Sequence, residues 1–509
     1  MAGTQTGLPP LRENKDRADA GRRRTTARLA CPSRPVPLPG EEEGIYVASL
    51  FRRKIVTEQP PEHQLARTLS WPHLVAMGVG GIVGTGILTL IGVGAGLAGP
   101  AVILSFIIAG GICACAALAY AEMATMIPAS GSAYTYSYVV LGELIAWVIG
   151  WSLILEYSLV VSTVAVGWSG YAAPLLRGAF GFPEALTLSP ELGGVLNVPA
   201  IVIIAVVAGV LSFGTRESAT LNAVLVAVKM IALTVFVFIA LHYFNSANLQ
   251  PFMPYGFPKA VQPDGAERGV MAAAAIIFFA FYGFDAISTA AEETKNPGRD
   301  LAIGILGSMV ACIAIYILVA VAAVGALSYT RFAGSAEPLA LILREIGRPG
   351  FATFLGASAV IALPTVLLAF LFGQSRIFFT MARDGLLPLG LAKVSKRGAP
   401  VRITWITAAI VAVIAGLLPL AEIAALANAG TLAAFVAVCA CMLVMRRRAP
   451  DAIRTFRAPA ATLVGIVGIL GCLYLFFSLP SKTQAYFGLW NLLGLVIYFV
   501  YARPRALAE

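Results

Sequence analysis

Charge is scarce in this chain. Of its 509 residues, 12% are Asp, Glu, Lys or Arg, where a soluble domain carries about 25%. Histidine is scarcer still. His63, His73 and His242 are the only three; they form no cluster and lie outside the centres of the apolar stretches, so no metal site is expected. HExxH, GxSxG and Walker motifs are all missing, which argues against an intramembrane enzyme and against ATP-driven transport. The seven cysteines, at 31, 113, 115, 312, 439, 441 and 472, include no CxxC pair. The two C-x-C pairs point in different directions on a helix, so buried small residues are expected rather than disulfides or metal ligands. Alternating strands of about ten residues, the mark of a membrane barrel, are lacking as well.

Long apolar runs fill the space instead. Hydrophobic residues make up 59% of the sequence. Twelve stretches are long enough to cross a hydrocarbon core of about 30 Å: 74–96, 101–127, 138–165, 196–213, 219–241, 270–291, 301–327, 351–380, 403–420, 422–445, 460–479 and 484–502. The expected fold class is an all-α polytopic membrane protein with twelve transmembrane helices.

A net charge of +10 invites a nucleic-acid reading, so the placement of the charges matters. With the N-terminus inside, 27 of the 36 Lys and Arg residues fall in inner segments and seven in outer loops. Without residues 1–70 the ratio is still 15 to seven. The positive-inside rule explains this balance, places both termini in the cytoplasm and leaves no need for nucleic acid. Residues 1–60 are rich in Arg and Pro and poor in apolar residues, and read as a disordered basic cytoplasmic segment. Within it "LFRRK" (50–54) is expected to touch anionic headgroups. An apolar h-region is missing, and Glu41, Glu42 and Glu43 disfavour a transit peptide.

The first apolar stretch contains "GVGGIVGTGIL" (78–88), with five glycines in nine positions. Each costs roughly 1 kcal/mol in a helix interior. Five spans later, "IIFFAFYGFDAISTAAEE" (276–293) carries Gly283 and Asp285 amid aromatics. Two interrupted helices at matching positions of a five-plus-five arrangement signal an inverted repeat. The expected division is a transport core over 61–449, spans 1–10, followed by spans 11 and 12 and a short tail over 450–509. Close packing of the Gly80/Gly84 type is the plainer use of such glycines. The matching break favours a site, because broken helices leave backbone N–H and C=O groups free at mid-membrane only where they line a cavity. A carboxylate suits the positive helix start and an ammonium suits the carbonyls. A free amino acid carries both.

Together with "AYAEMATMIPASGSAYTYSYVVLGE" (119–143), "GWSLILEY" (150–157), "FFAFYGFDAISTAAEETKNPGRDLAIGI" (278–305) and "GQSRIFFTMARDGLLP" (373–388), these motifs resemble the amino acid–polyamine–organocation (APC) superfamily, most closely its cationic amino acid transporter branch. The resemblance runs from about Leu50 to Val500. It implies the leucine-transporter (APC) fold, with a 5+5 inverted repeat and broken helices 1 and 6. It implies that Thr85 and Gly86, next to Gly84, present amides to a substrate carboxylate. Ile82, Phe279, Ala280 and Tyr282 are to present carbonyls to its amino group. Tyr282 departs from the smaller aliphatic residue common in close relatives, which leaves the side-chain preference open. Phe279 or Tyr282 is a candidate lid.

Lys229 lies about ten residues into the fifth apolar stretch, where an ammonium costs a few kcal/mol. A structural lysine paired with carbonyls is one reading, and a group that gains and loses a proton is the other. The resemblance implies that this lysine stands where sodium-coupled relatives hold a cation, hence proton coupling and sodium independence. Lys229 is then expected to bridge span 5 to the break in span 1. Glu122, Glu156 and Asp285 are further candidates for a gate or proton path, or else satisfied structural carboxylates. Arg376 and Arg383 are expected to pair with acidic groups at a cytoplasmic gate, with Glu292 and Glu293 as partners. The whole points to a secondary active amino acid permease of the inner (plasma) membrane, moving small neutral or cationic amino acids, with protons and the lipid bilayer as its other partners and no cofactor. A polyamine transporter or an amino acid antiporter is the alternative.

Overall fold

In hydrocarbon, backbone polar groups must be satisfied within the chain, and every one of the twelve apolar stretches is helical. The computed structural model describes residues 1–3, 52–54, 67–213, 216–392 and 400–506. The first stretch comprises α1 (Trp71–Ile82), α2 (Thr85–Leu88) and α3 (Leu90–Ala98), and α4 (Val102–Met126) forms the second. A short buried helix, α5 (Ser132–Val140), precedes α6 (Glu143–Phe180). Then come α7 (Val198–Phe213) and α8 (Arg216–His242). A hairpin of β1 (Ala260–Val261) and β2 (Glu267–Arg268) leads to the sixth stretch, α9 (Val270–Ile277) and α10 (Asp285–Thr289). The chain continues through α11 (Pro297–Ala326), the loop helices α12 (Tyr329–Phe332) and α13 (Pro338–Glu345), and an eighth stretch split at Leu363 into α14 (Pro349–Ala362) and α15 (Pro364–Arg383). It ends with α16 (Val401–Leu417), α17 (Leu420–Arg448), α18 (Ala461–Ser478), α19 (Ser481–Ile497) and α20 (Arg503–Ala506).

Among the described residues, ten helical stretches are long and apolar enough to cross a membrane. Val198–Ser212 and Val401–Leu417 are apolar but shorter, and at 1.5 Å per residue a 17-residue helix still reaches about 25 Å. The third span differs from its expected 138–165. It begins at Glu143 because Gly142, at φ +108°, turns the chain between α5 and α6. It then runs 38 residues to Phe180.

Both expected breaks are present. α1 stops at Ile82; Val83 is extended and Gly84 (φ −148°, ψ −146°) is not helical. In the sixth stretch α9 tightens into a 3₁₀ turn at Phe278–Ala280, and the helix resumes only at Asp285. Between them Gly283 sits at φ +121°, a conformation open to glycine and costly for other residues. The two breaks touch. A Cβ on Gly283 would stand 2.8 Å from the carbonyl carbon of Gly81, and one on Gly86 would overlap the Cα of Ala280. The start of the first span and the end of the sixth are joined as well: Leu69 bridges to Thr294, and the Lys295 amide donates to the Leu69 carbonyl at 2.8 Å.

Most of the expected disordered segment 1–60 lies outside the described residues. Two cations of "LFRRK" that are described have acidic neighbours within the protein. Lys54 Nζ is 2.6 Å from Asp384 Oδ1 and Arg52 Nε is 3.4 Å from Glu143 Oε2. Six of the seven cysteines are among the described residues and all six are free.

Candidate functional site

A helix start leaves its first amides without carbonyls four residues back, and a helix end leaves carbonyls without amides. The break in the first span places both kinds of group within a few residues. Beside it lies a small cavity of about 10 Å³, room for about one water. Gly81, Ile82, Gly84, Thr85 and Gly86 form its backbone-rich wall. The opposite walls are apolar or aromatic: Val160 and Val164 from α6, Val366 and Phe370 from α15, and Phe279 and Tyr282 from the sixth span. Of the seven residues expected at a substrate site, six line this space. Ala280 does not; it packs against Gly86 instead. Thr85 Oγ1 and Tyr282 Oη are buried without a hydrogen-bond partner among the described residues. Phe279 and Tyr282 stand edge to face, 5.0 Å apart, and Tyr282 meets Phe370 at 6.1 Å. This aromatic corner closes the cavity on one side.

Lys229 reaches the break from α8. Its Nζ donates to the carbonyls of Gly80 (2.7 Å) and Val83 (2.6 Å), two acceptors freed where α1 ends. The third acceptor, not foreseen, is Thr365 Oγ1 of α15 at 2.9 Å. The Thr365 hydroxyl itself donates to Ala362 O at 2.7 Å, which leaves its lone pair for the lysine. One ammonium thus ties spans 1, 5 and 8 together beside the cavity. A hydroxyl one residue from a cavity-lining Val366 was the available signal, but nothing local marks it. Tyr316 of α11 was also missed. Its hydroxyl donates to Ile82 O at 2.8 Å and holds the broken end from the opposite side.

Asp285 closes the second break. Its Oδ1 accepts from the Gly283 amide at 2.9 Å and its Oδ2 from the Tyr157 hydroxyl at 2.6 Å. Next to Tyr157 on α6, Glu156 is completely buried, and neither carboxylate oxygen has a partner among the described residues. Gly430 of α17 admits it: a Cβ there would stand 3.0 Å from Glu156 Cβ.

Glu122 is remote from this cluster. Its carboxylate receives two bonds from Arg446, at 2.7 and 2.6 Å, one from Arg454 at 3.2 Å and one from the Ala458 amide at 2.8 Å. Every lone-pair direction is engaged, and the group joins α4 to the end of α17 and the loop beyond. Arg376 meets Glu293 at 3.2 Å with both side chains buried, and Arg383 meets Glu292 at 3.6 Å. Both pairings were anticipated from sequence. Glu292 also accepts from the Ser130 amide at 3.0 Å. These contacts tie the end of the sixth span to α15 and to the segment before α5. Among the described residues no group of His, Cys, Asp and Glu side chains has the arrangement of a metal site.

The amino acid permease family model matches residues 69–501. The chain is 42% identical, over 470 residues, to a branched-chain amino acid permease, BcaP, of Bacillus subtilis, covering 90% of this chain and 98% of that protein. It is 41% identical over 469 residues to a methylthioribose transporter of the same organism, covering 91% and 99%. A vacuolar cationic amino acid transporter 2 of Arabidopsis thaliana is 38% identical over 413 residues, covering 80% of this chain and 64% of that protein.

Proposed function

The chain belongs to the amino acid permease family, a multi-pass membrane transporter and not an enzyme, and from that premise we propose that it is a proton-coupled, sodium-independent importer of small aliphatic amino acids. The substrate lies in the cavity between the two breaks. Its carboxylate meets the amides of Thr85 and Gly86 at the start of α2, next to Gly84. Its ammonium meets carbonyls of Ile82, Phe279 and Tyr282, residues that line the cavity. The side chain then faces Val160, Val164, Val366 and Phe370, an apolar lining that suits an uncharged aliphatic group. Similarity to a branched-chain permease points the same way.

The observation that carries the coupling is Lys229 on the carbonyls of Gly80 and Val83. While protonated it fastens the first break to α8 and α15; on losing its proton it gives up the charge-assisted bonds and loosens the break. Asp285 and Glu156 continue the proton path, Arg376 with Glu293 forms the cytoplasmic gate, and Glu122 braces the scaffold. In this reading the core spans 61–449, residues 450–509 add the last two helices and a tail, and both termini are cytoplasmic at the inner (plasma) membrane.

Uptake into sodium-free proteoliposomes tests the proposal. Labelled valine, leucine or alanine is expected to accumulate when the outside is acidic, and an uncoupler is expected to abolish the accumulation. A requirement for sodium, or accumulation indifferent to the uncoupler, overturns it. The unpartnered carboxylate of Glu156 favours a second reading, a cationic side chain or polyamine reaching past Tyr282. In the same assay that reading predicts competition by arginine, lysine or putrescine at concentrations where valine fails to compete.

A further inference from the structure

The first span is interrupted twice. After the break at Val83 and Gly84, α2 lasts only from Thr85 to Leu88. Thr89 (φ −121°, ψ −50°) then leaves helical geometry before α3 begins at Leu90. The hydrogen-bond ladder slips at this point. The Leu88 amide donates to the Gly84 carbonyl at 3.2 Å and the Thr89 amide to the Thr85 carbonyl at 2.8 Å, each four residues back. The Gly92 amide donates instead to the Thr89 carbonyl at 3.1 Å, three residues back. The Leu88 carbonyl is thereby released from its helical donor. Leu88 is buried, and a buried carbonyl needs another partner. Tyr171 of α6 supplies it: the hydroxyl donates to Leu88 O at 2.7 Å from a ring that is itself buried.

Tyr171 ends a stripe along α6. Val160, Val164, Gly167 and Tyr171 follow one another at steps of four, three and four, and so share one helix face. Val160 and Val164 line the cavity. Gly167 meets Thr85, and a Cβ there would overlap the threonine methyl. One face of α6 therefore borders the cavity and then holds both ends of α2, Thr85 at Gly167 and Leu88 at Tyr171. A single helical turn is not self-supporting, because nucleation is costly, so the orientation of α2 comes from what packs against it. Thr85 and Gly86 belong to the backbone wall of the cavity; whatever orients α2 orients that wall.

We propose that Tyr171 is a positioning residue for the substrate site. It does not line the cavity; it acts through the Leu88 carbonyl, setting the tilt of α2 and with it the aim of the Thr85 and Gly86 amides. The inference rests on the reading of these amides as the carboxylate site and is independent of proton coupling.

Two measurements on the purified full-length protein test it, and one needs no substrate. Tyr171→Phe keeps the ring and loses the hydroxyl. Amide hydrogen exchange in peptides covering 85–92 is expected to rise about fivefold, the factor that loss of one buried hydrogen bond supports. In proteoliposome uptake the KM for valine is expected to rise by a similar factor at an unchanged maximal rate, the pattern of weakened binding. Ser169→Ala is the control. Its hydroxyl, equally buried, donates to Asn197 Oδ1 at 2.6 Å from a position off the stripe, so the variant loses a bond of the same kind without touching α2. Both readouts are expected to stay at wild type there. Unaltered exchange at 85–92 in Tyr171→Phe overturns the proposal. So does raised exchange with a wild-type KM, or a Ser169→Ala variant that matches Tyr171→Phe in both readouts. If the wild-type protein takes up none of valine, leucine and alanine, the substrate reading falls, and the exchange measurement alone upholds or overturns the hold of Tyr171 on α2.

Discussion

The ammonium of Lys229 lies 2.6 Å from the carbonyl oxygen of Val83, the residue at which the first helix stops. The contact repairs a break that the glycines create, and it does so with a group able to lose a proton. Lys229→Met removes the donor and leaves the Gly80 and Val83 carbonyls and the Thr365 hydroxyl short of a partner. Each deserted acceptor costs about 1–3 kcal/mol. Proton-driven accumulation is expected to vanish in the Met variant, and any residual exchange is expected to lose its dependence on pH. Uptake in proteoliposomes across a range of external pH checks this. A Met variant with the wild-type rate and the wild-type pH profile contradicts the coupling role.

Glycine content acts here through contact as much as through backbone freedom. Gly86 faces the backbone of Ala280, with no flexible side chain to give way. Gly86→Ala is expected to wedge the first and sixth spans apart, costing roughly 1–3 kcal/mol and lowering uptake at least about tenfold, the factor that corresponds to 1.4 kcal/mol. Gly111 provides the contrast. It is exposed on α4, and a Cβ there meets nothing within 4 Å. Gly111→Ala is expected to leave uptake unchanged and to hold or raise the unfolding temperature, since alanine is the better helix former. Parallel thermal unfolding and uptake measurements separate the two cases.

These contrasts indicate what a linear sequence can carry. The break in span 1 was legible because five glycines in nine positions were matched five spans later by Gly283 with Asp285, a pairing that close helix packing alone does not explain. Lys229 was conspicuous by depth alone. Its partner Thr365 was not, because a threonine 136 residues away resembles any other threonine until the chain is folded. Glu122 was equally opaque, since Arg446 and Arg454 lie more than 320 residues downstream. The start of the third span was misread for a local reason: hydropathy averages across Gly142, whereas the backbone turns there. The acidic partners of Arg52 and Lys54 were hidden for the same reason, Asp384 lying 330 residues from Lys54.

The Arg376–Glu293 pair gives a third prediction. Arg376 and Glu293 are both buried, and the Arg376 guanidinium also lies 3.3 Å from the ring centre of Phe372. Removing one partner of a buried pair strands the other charge, at about 3–5 kcal/mol. Arg376→Ala is expected to lower the unfolding temperature sharply, and Arg376→Ala with Glu293→Gln to recover a substantial part of the loss. A double variant no more stable than Arg376→Ala shows that the pair is not coupled.

Two buried glutamates of similar appearance are expected to respond in opposite ways to the same change. Glu122 is fully satisfied by two guanidiniums and an amide, so Glu122→Gln removes a charge on which two cations depend. Its stability is expected to fall by several kcal/mol, while transport per folded molecule stays near wild type because the group is remote from the cavity. Glu156 has no partner among the described residues, so a neutral amide of the same shape sacrifices no ion pair. Glu156→Gln is expected to be at least as stable as wild type and to shift the pH dependence of uptake. Thermal unfolding combined with uptake normalised to folded protein distinguishes a brace from a proton site. If Glu156→Gln is destabilised as severely as Glu122→Gln while its pH profile stays fixed, the carboxylate of Glu156 is structural and the proton path must bypass it.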